Sequence, residues 1–266
     1  MHSHILHKPH ACHGYTLLEM SIVFLIIGLI AGGIVLGADM IRATGLRTLL
    51  SERGELVSAV ATFKEKYNGL PGDMRNATSY WGAADSVAST CRTTTSNSTA
   101  TCNGDNDLKV GADMATAVNE SFRFWQQLAN SGIIKGQYTG VAGSGGTYHH
   151  VGNQNALASK VENMVWGVRN LDAYAGDSIY FMFDYDNLLE VGLENATSEP
   201  TAGGGLTPEE AYNLDKKADD GMPASGTIIA GRWDDCTTAT SKSNLTATYD
   251  TSVTAQNCSL LFVKQF

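Results

Sequence analysis

The chain has 266 residues, enough for one large domain or two small ones and for a substantial core. Its formal net charge of -9 would repel nucleic acid unless a local basic patch exists, so no nucleic-acid partner is expected. Only 17% of residues are charged and 28 are glycine, which describes a loop-rich, weakly charged surface, while the apolar residues are concentrated near the N-terminus.

Residues 1–14 contain five histidines, Cys12 and one permanently charged side chain, Lys8. From Tyr15 to Ala38 the sequence reads YTLLEMSIVFLIIGLIAGGIVLGA, which at ~1.5 Å per residue is long enough to cross a bilayer core of ~30 Å. A secretory signal would have a shorter apolar core with its small-residue cleavage site after it; here a processing-like Gly14 precedes the apolar run. Glu19 is the one carboxylate inside the run. An ionised side chain near hydrocarbon costs a few kcal/mol or more, so it needs a partner. Cleavage after Gly14 would place a new α-amino group on Tyr15 and make Glu19 the fifth residue of the mature chain, where it can neutralise that amine on a neighbouring subunit and set axial register. The plain alternative is a signal anchor whose Glu19 reaches for the interface.

The segment Gly14-Tyr15-Thr16-Leu17-Leu18-Glu19-Met20 closely resembles the prepilin processing and methylation site of type IV pilins and type II secretion pseudopilins. The resemblance covers roughly residues 14 to 74. It implies a membrane peptidase that cuts after Gly14, N-methylation of Tyr15 and an assembly role for Glu19. The implied partners are the prepilin peptidase, an inner-membrane assembly platform, the membrane, and copies of this chain or related pilins in a filament. The implied location is a single-pass inner-membrane precursor with a cytoplasmic leader and a periplasmic head, then a periplasmic or extracellular filament of a bacterial cell. Three features depart from the family pattern. The first mature residue is Tyr15 where phenylalanine is usual, the leader is poor in positive charge for the positive-inside rule, and the apolar run has only Gly28, Gly32, Gly33 and Gly37 as breakers where many pilins have a proline.

Past Ala38 an amphipathic helix is expected to continue to residue 67. Met40, Leu46, Leu49, Leu50, Leu56, Val60 and Phe63 recur at helical spacing, and Arg42, Arg47, Glu52, Arg53, Glu55, Lys64 and Glu65 lie between them. The helix should stop at Asn68-Gly69-Leu70-Pro71-Gly72-Asp73, where glycine offers a left-handed cap and proline cannot continue the ladder. The expected divisions are a leader at 1–14, a transmembrane and assembly half-helix at 15–38, an amphipathic half at 39–67 and a globular head at 68–266.

In the head, residues 75–112 read as a long polar surface excursion closed by Cys91 and Cys102, with Cys236 and Cys258 forming a second local couple. Two disulfide loops fit an oxidising compartment. Zinc is not expected, because there is no CxxC pair and His149 and His150 are adjacent and remote from either couple. Asn103-Gly104-Asp105-Asn106-Asp107 resembles the start of a calcium loop without its closing glutamate, so a solvated turn is the competing reading.

A second helix is expected at Asp113–Ser131, with Met114, Val118, Phe122, Trp125 and Leu128 on one face. Residues 141–152 form a Gly-rich loop with no lysine to make it a phosphate cradle. Strands are expected at Asn163–Asn170, Ser178–Asp184, Thr227–Trp233 and Leu260–Gln265. Thr207-Pro208-Glu209-Glu210 opens a short helix through a capping box, and Asp219-Asp220-Gly221 ends it. Asp215, Asp219 and Asp220 are a second possible calcium set, against the alternative of a solvated acidic helix end.

No catalytic constellation is legible, and an enzyme is not expected. Asn-x-Ser/Thr sites such as Asn76, Asn195 and Asn244 read as chance in an Asn- and Thr-rich chain. The expected fold class is α+β, with the long N-terminal helix packed on a mainly antiparallel sheet that carries inserted helices and loops. The expected function is a structural filament subunit of a type IV pilus or type II secretion pseudopilus. The alternative is a minor tip subunit acting as an adhesin or as a substrate- or DNA-binding module, for which Tyr80, Trp81 and Tyr148 are the available aromatic residues.

Overall fold

A computed structural model describes residues 15–91, 93–111, 120–197 and 199–266. The expected leader with Gly14, and Met114 and Val118 of the expected second helix, lie outside them. The chain divides into two compact units, one ending at Thr44 and one formed by Gly45–Phe266.

Helix α1 is Leu17–Tyr67. Within the first unit, Leu17–Ile34 is long and apolar enough to cross a membrane, and its side chains, among them Leu17, Phe24, Leu29 and Ile34, are exposed. A helix apolar on every side is suited to lipid or to a protein core. Met40, expected in the buried stripe, is exposed.

In the second unit the stripe behaves as its spacing requires: Leu49, Leu56, Val60 and Phe63 are buried, and Leu46 and Leu50 pack at the edge of the same core. Truncating Leu49, Leu56 or Phe63 to alanine would cost about 2–5 kcal/mol. Glu52, expected among the solvated polar residues, is 4% exposed. Its Oε2 accepts from Trp166 Nε1 at 3.0 Å and Ser159 Oγ at 2.7 Å, and its Oε1 accepts from the Lys160 backbone N–H at 2.7 Å. The helix ends at Tyr67, as expected, but its cap is Asn68 and not a glycine. Asn68 takes the left-handed conformation at φ 53, which asparagine tolerates, and its N–H donates to the Lys64 carbonyl.

The sheet is antiparallel with order β1-β4-β6-β5, where β1 is Met164–Asn170, β4 Asn187–Leu193, β5 Ile228–Gly231 and β6 Ser259–Phe262. Three of the expected strands are present, each shorter than expected. The expectation for Ser178–Asp184 is corrected: only Phe183–Asp184, as β3, pairs, and it does so with β2 (Ala173–Tyr174) in a separate two-stranded ribbon. Tyr180 and Phe181 are buried against the sheet face opposite to the long helix. The strand missed in the sequence is β4, an interior strand of the sheet. Pleat alternation sends Leu189, Val191, Leu260 and Phe262 toward the core shared with α1, and Leu188 and Leu261 toward the opposite core with Tyr180, Phe181 and Tyr185.

The remaining helices frame this sandwich. Short helices α2 (Ala77–Trp81) and α3 (Ala88–Cys91) lie in the 75–112 excursion. Helix α4, Glu120–Asn130, is buried at every position from Glu120 to Leu128 and so is a core helix, not a surface one. Helix α5, Pro208–Ala218, starts through the expected capping box, with Thr207 and Glu210 bonding reciprocally, and α6 is Trp233–Cys236. Both cysteine couples are bonded, Cys91–Cys102 and Cys236–Cys258. The excursion is less solvated than its composition suggests. The buried Arg123 guanidinium of α4 donates to the Cys91 and Thr94 carbonyls, and Val110, Ser96 and Thr101 are buried.

Glu52→Ala should destabilise the head by about 1–3 kcal/mol, because it leaves the buried Trp166 indole N–H unpaired; chemical denaturation checks this, and a stability equal to the parent's would refute it. Replacing Cys236 and Cys258 together by alanine should cost roughly 3 kcal/mol in the chain-entropy account, read as a lower melting temperature relative to the oxidised parent.

Candidate functional site

The start of α1 combines an exposed aromatic residue, a capping pair and one charge. Tyr15 is 83% exposed. The Thr16 backbone N–H and its Oγ1 both donate to Glu19 Oε2 at 2.8 Å, and the Glu19 N–H donates to Thr16 Oγ1 at 3.2 Å. This is a capping box at the first turn, where a carboxylate also meets the positive end of the helix dipole. Glu19 Oε1 accepts no hydrogen bond among the described residues. The arrangement holds one carboxylate in a fixed rotamer at the head of an apolar helix, with a lone-pair-bearing oxygen available to a cation from outside. Thr16 was not singled out in the sequence, although the Thr-x-x-Glu spacing that identified Thr207 and Glu210 is the same signal.

Two acidic groups lie in the head. Asp105 and Asp107 do not stand alone: Asp73 and Glu120 join them, with one carboxylate oxygen from each within 4.8 Å of the others. Asp73 follows α1 and Glu120 opens α4, so the acid absent from the loop's own spacing comes from other elements. Asp73 accepts from the backbone N–H of Asn106, Asp107 and Leu108, and Glu120 from those of Asp105 and Gly111. Burial, reinforced by the charges of Asp105 and Asp107, pushes Asp73 up to about 6. Burial and the Asp73 charge push Glu120 up to about 8.

Asp215, Asp219 and Asp220 also converge. Asp215 accepts from Tyr249 Oη at 2.8 Å and from the Gly221 N–H, and Asp219 caps the N–H groups of Thr227 and Ile228. Burial pushes Asp215 up to about 7. Both groups are oxygen-donor sets of the hard-cation type, and in both the carboxylates already hold the loop backbone.

Sequence reading missed a third cluster, on the sheet face away from α1. Arg169 of β1 donates to Tyr180 Oη at 2.8 Å and lies 3.3 Å from Glu199. Tyr180 Oη and Thr201 Oγ1 lie 2.6 Å apart and share one hydroxyl proton, and they sit 3.2 and 3.0 Å from Glu190 Oε2 of β4, which takes the other. Gly167 makes room, since a Cβ there would meet Glu190 Oε1 at 2.5 Å. His149 and His150 are buried as well. The His150 ring packs on Phe122 at 4.6 Å, and burial pushes it down to about 4. Burial, opposed by Arg169, pushes Glu190 up to about 7. The space among these side chains is too small for a water molecule, so the cluster is polar packing and not a ligand cavity. Its only sequence signal was a Glu inside an apolar run.

The prokaryotic N-terminal methylation motif matches residues 9–35, which takes in Gly14, Tyr15, Thr16 and Glu19. Comparison with curated proteins and with solved structures found no match.

The buried carboxylates make stability pH-dependent. Asp73, Glu120, Glu190 and Asp215 titrate higher folded than unfolded, so the unfolded chain loses its protons first and stability falls as pH rises from about 4 through the folded values. His150 acts oppositely, and its contribution is lost as pH falls from 6.5 toward about 4. The melting temperature should therefore decline between pH 6 and pH 8. Glu190→Gln should remove a share on the order of 1 kcal/mol of that decline; an unchanged slope in the variant would contradict the assignment.

Proposed function

We propose, from the premise that this chain carries the N-terminal methylation signature of type IV pilins and pseudopilins, that it is a structural subunit of a type IV pilus or type II secretion pseudopilus. In this reading the chain is inserted with its leader in the cytoplasm and its head outside, a prepilin peptidase cuts after Gly14, and Tyr15 becomes the methylated N-terminus. The mature chain then joins a filament of its own copies or related pilins through α1. The observation that carries the reading is the coincidence of that motif with an exposed apolar helix whose single charge, Glu19, sits in the first turn.

Glu19 has two separable roles here. It caps its own helix through Thr16, and its remaining oxygen takes the Tyr15 amine of a neighbouring subunit. Ion pairing at that depth is favoured because the alternative is an unpaired charge in hydrocarbon. A minor subunit at the filament tip is the second reading. Its support is the aromatic group at the end of α1, where Tyr80 is 54% exposed and stacks edge-on against Tyr67 at 5.1 Å. Tyr148, by contrast, is engaged under the Arg169 guanidinium.

Mass spectrometry of the N-terminal peptide from cells with and without the prepilin peptidase should give methylated Tyr15 only when the enzyme is present. A chain that still begins at Met1 would overturn the reading. Glu19→Gln keeps an acceptor for the capping box and removes the charge, so the variant should insert into the membrane normally yet fail to enter filaments. Wild-type incorporation of Glu19→Gln would show that Glu19 serves the helix alone.

A further inference from the structure

Asn-x-Ser/Thr recurs at Asn76, Asn97, Asn119, Asn195, Asn244 and Asn257. Composition alone makes such sites unremarkable in this chain, and the structure separates them. Asn119 lies outside the described residues. Asn257 is followed by the disulfide-bonded, fully buried Cys258 and by Ser259, which is buried in β6. Asn76 precedes α2, the next residue, Ala77, is buried, and the Thr78 N–H is taken by Asn103. At Asn97 the threonine two residues on donates its hydroxyl elsewhere, to the Trp81 carbonyl.

Asn195 and Asn244 differ from all of these and match each other. At Asn195, the Thr197 backbone N–H and Oγ1 both donate to Asn195 Oδ1 at 3.0 Å. At Asn244, the Thr246 N–H and Oγ1 donate to Asn244 Oδ1 at 3.3 and 3.1 Å. Each asparagine is partly exposed, the two residues after it are exposed, and each opens a turn outside any strand or helix. Neither Nδ2 donates a hydrogen bond among the described residues. Each turn therefore presents the carboxamide nitrogen unengaged, beside the hydroxyl that defines the acceptor pattern.

The geometry points to Asn195 and Asn244 as acceptors of N-linked glycan. The co-substrate would be an oligosaccharide carried on a lipid diphosphate, delivered by a membrane transferase. A bond forms between Asn Nδ2 and the anomeric carbon of the sugar. The bond from that carbon to the diphosphate oxygen breaks, the lipid diphosphate leaves with the electron pair, and the displaced Nδ2 proton passes to a base of the transferase. The reaction needs the head on the non-cytoplasmic side of the membrane, which the two disulfides support independently of filament assembly.

The test is glycopeptide mass spectrometry of the full chain purified from its own cells, on the tryptic peptides spanning residues 170–216 and 243–264. Both peptides should carry hexose- and hexosamine-type increments on Asn195 and Asn244, and Asn257 in the second peptide should be unmodified. Thr197→Val and Thr246→Val, at exposed positions, should each abolish the increment at its own site while leaving the disulfides intact. Unmodified asparagine at either site overturns the assignment, as does sugar on serine or threonine that survives the valine changes, or modification at Asn76 or Asn97 instead. The N-terminal peptide of the same digest reports processing at Gly14 separately, so failure of the glycan assignment and failure of the filament reading give different spectra.

Discussion

The head depends on one buried carboxylate. Glu52 is the point at which α1 is fixed to the sheet: its two oxygens collect a tryptophan N–H from β1, a serine hydroxyl and a backbone N–H from the loop that precedes β1. Leu49, Leu56, Val60 and Phe63 supply most of the apolar burial on the same face, but dispersion is non-directional and would tolerate a helix slid or rotated by a fraction of a turn. Three donors converging on one side chain do not. An acid held this way is costly to strip of its partners and contributes more to a unique register than to net stability.

The long helix, its end, the capped α5 and the two disulfide couples were legible in the sequence because each rests on a local rule: helical spacing, a breaker cluster, a Thr-x-x-Glu box, short cysteine separations. The sheet was only partly legible, for a reason that lies in its layering. Strand β4 is covered on both faces, so it shows no polar alternation, and Glu190 and Gly192 interrupt the apolar run that would otherwise mark a buried strand. Gly192 is there because a Cβ would meet the Pro200 carbonyl at 2.0 Å, and Glu190 because Arg169, Tyr180 and Thr201 surround it. The Tyr- and Phe-rich Ser178–Asp184 segment has the composition of a strand, yet its aromatic residues fill the second core without entering the sheet. Tertiary burial overrode propensity in both places.

At the candidate site the division is similar. Glu19 stood out because a lone charge in an apolar run has no local explanation. Thr16 did not stand out, although its Thr-x-x-Glu spacing to that charge is the local signal that marked Thr207 and Glu210, because the apolar run drew the reading to the membrane. Asp73 and Glu120 were invisible beside Asp105 and Asp107 because they come from two other elements, 32 and 15 residues from Asp105 in the chain; proximity of that kind is a product of folding.

One device recurs across these sites. In a head with many loops and short strands, backbone N–H groups that no helix or sheet satisfies must find acceptors elsewhere, since leaving them buried and unpaired is expensive. Asp73 takes three such donors, Glu120 two, Asp219 two, and Glu52, Asp215 and Glu210 one each. The acidic excess read from composition as a surface property is thus spent in part on organising loops from within. It also explains why several of these acids titrate high: the same burial that makes a carboxylate useful as a fixed acceptor withdraws it from water, and clustering two or more of them adds repulsion that the backbone donors only partly offset. A chain built this way holds its irregular segments with carboxyls that burial favours in the protonated form, and Glu120 of α4 and Glu190 of β4 carry the same coupling to pH into a core helix and the sheet.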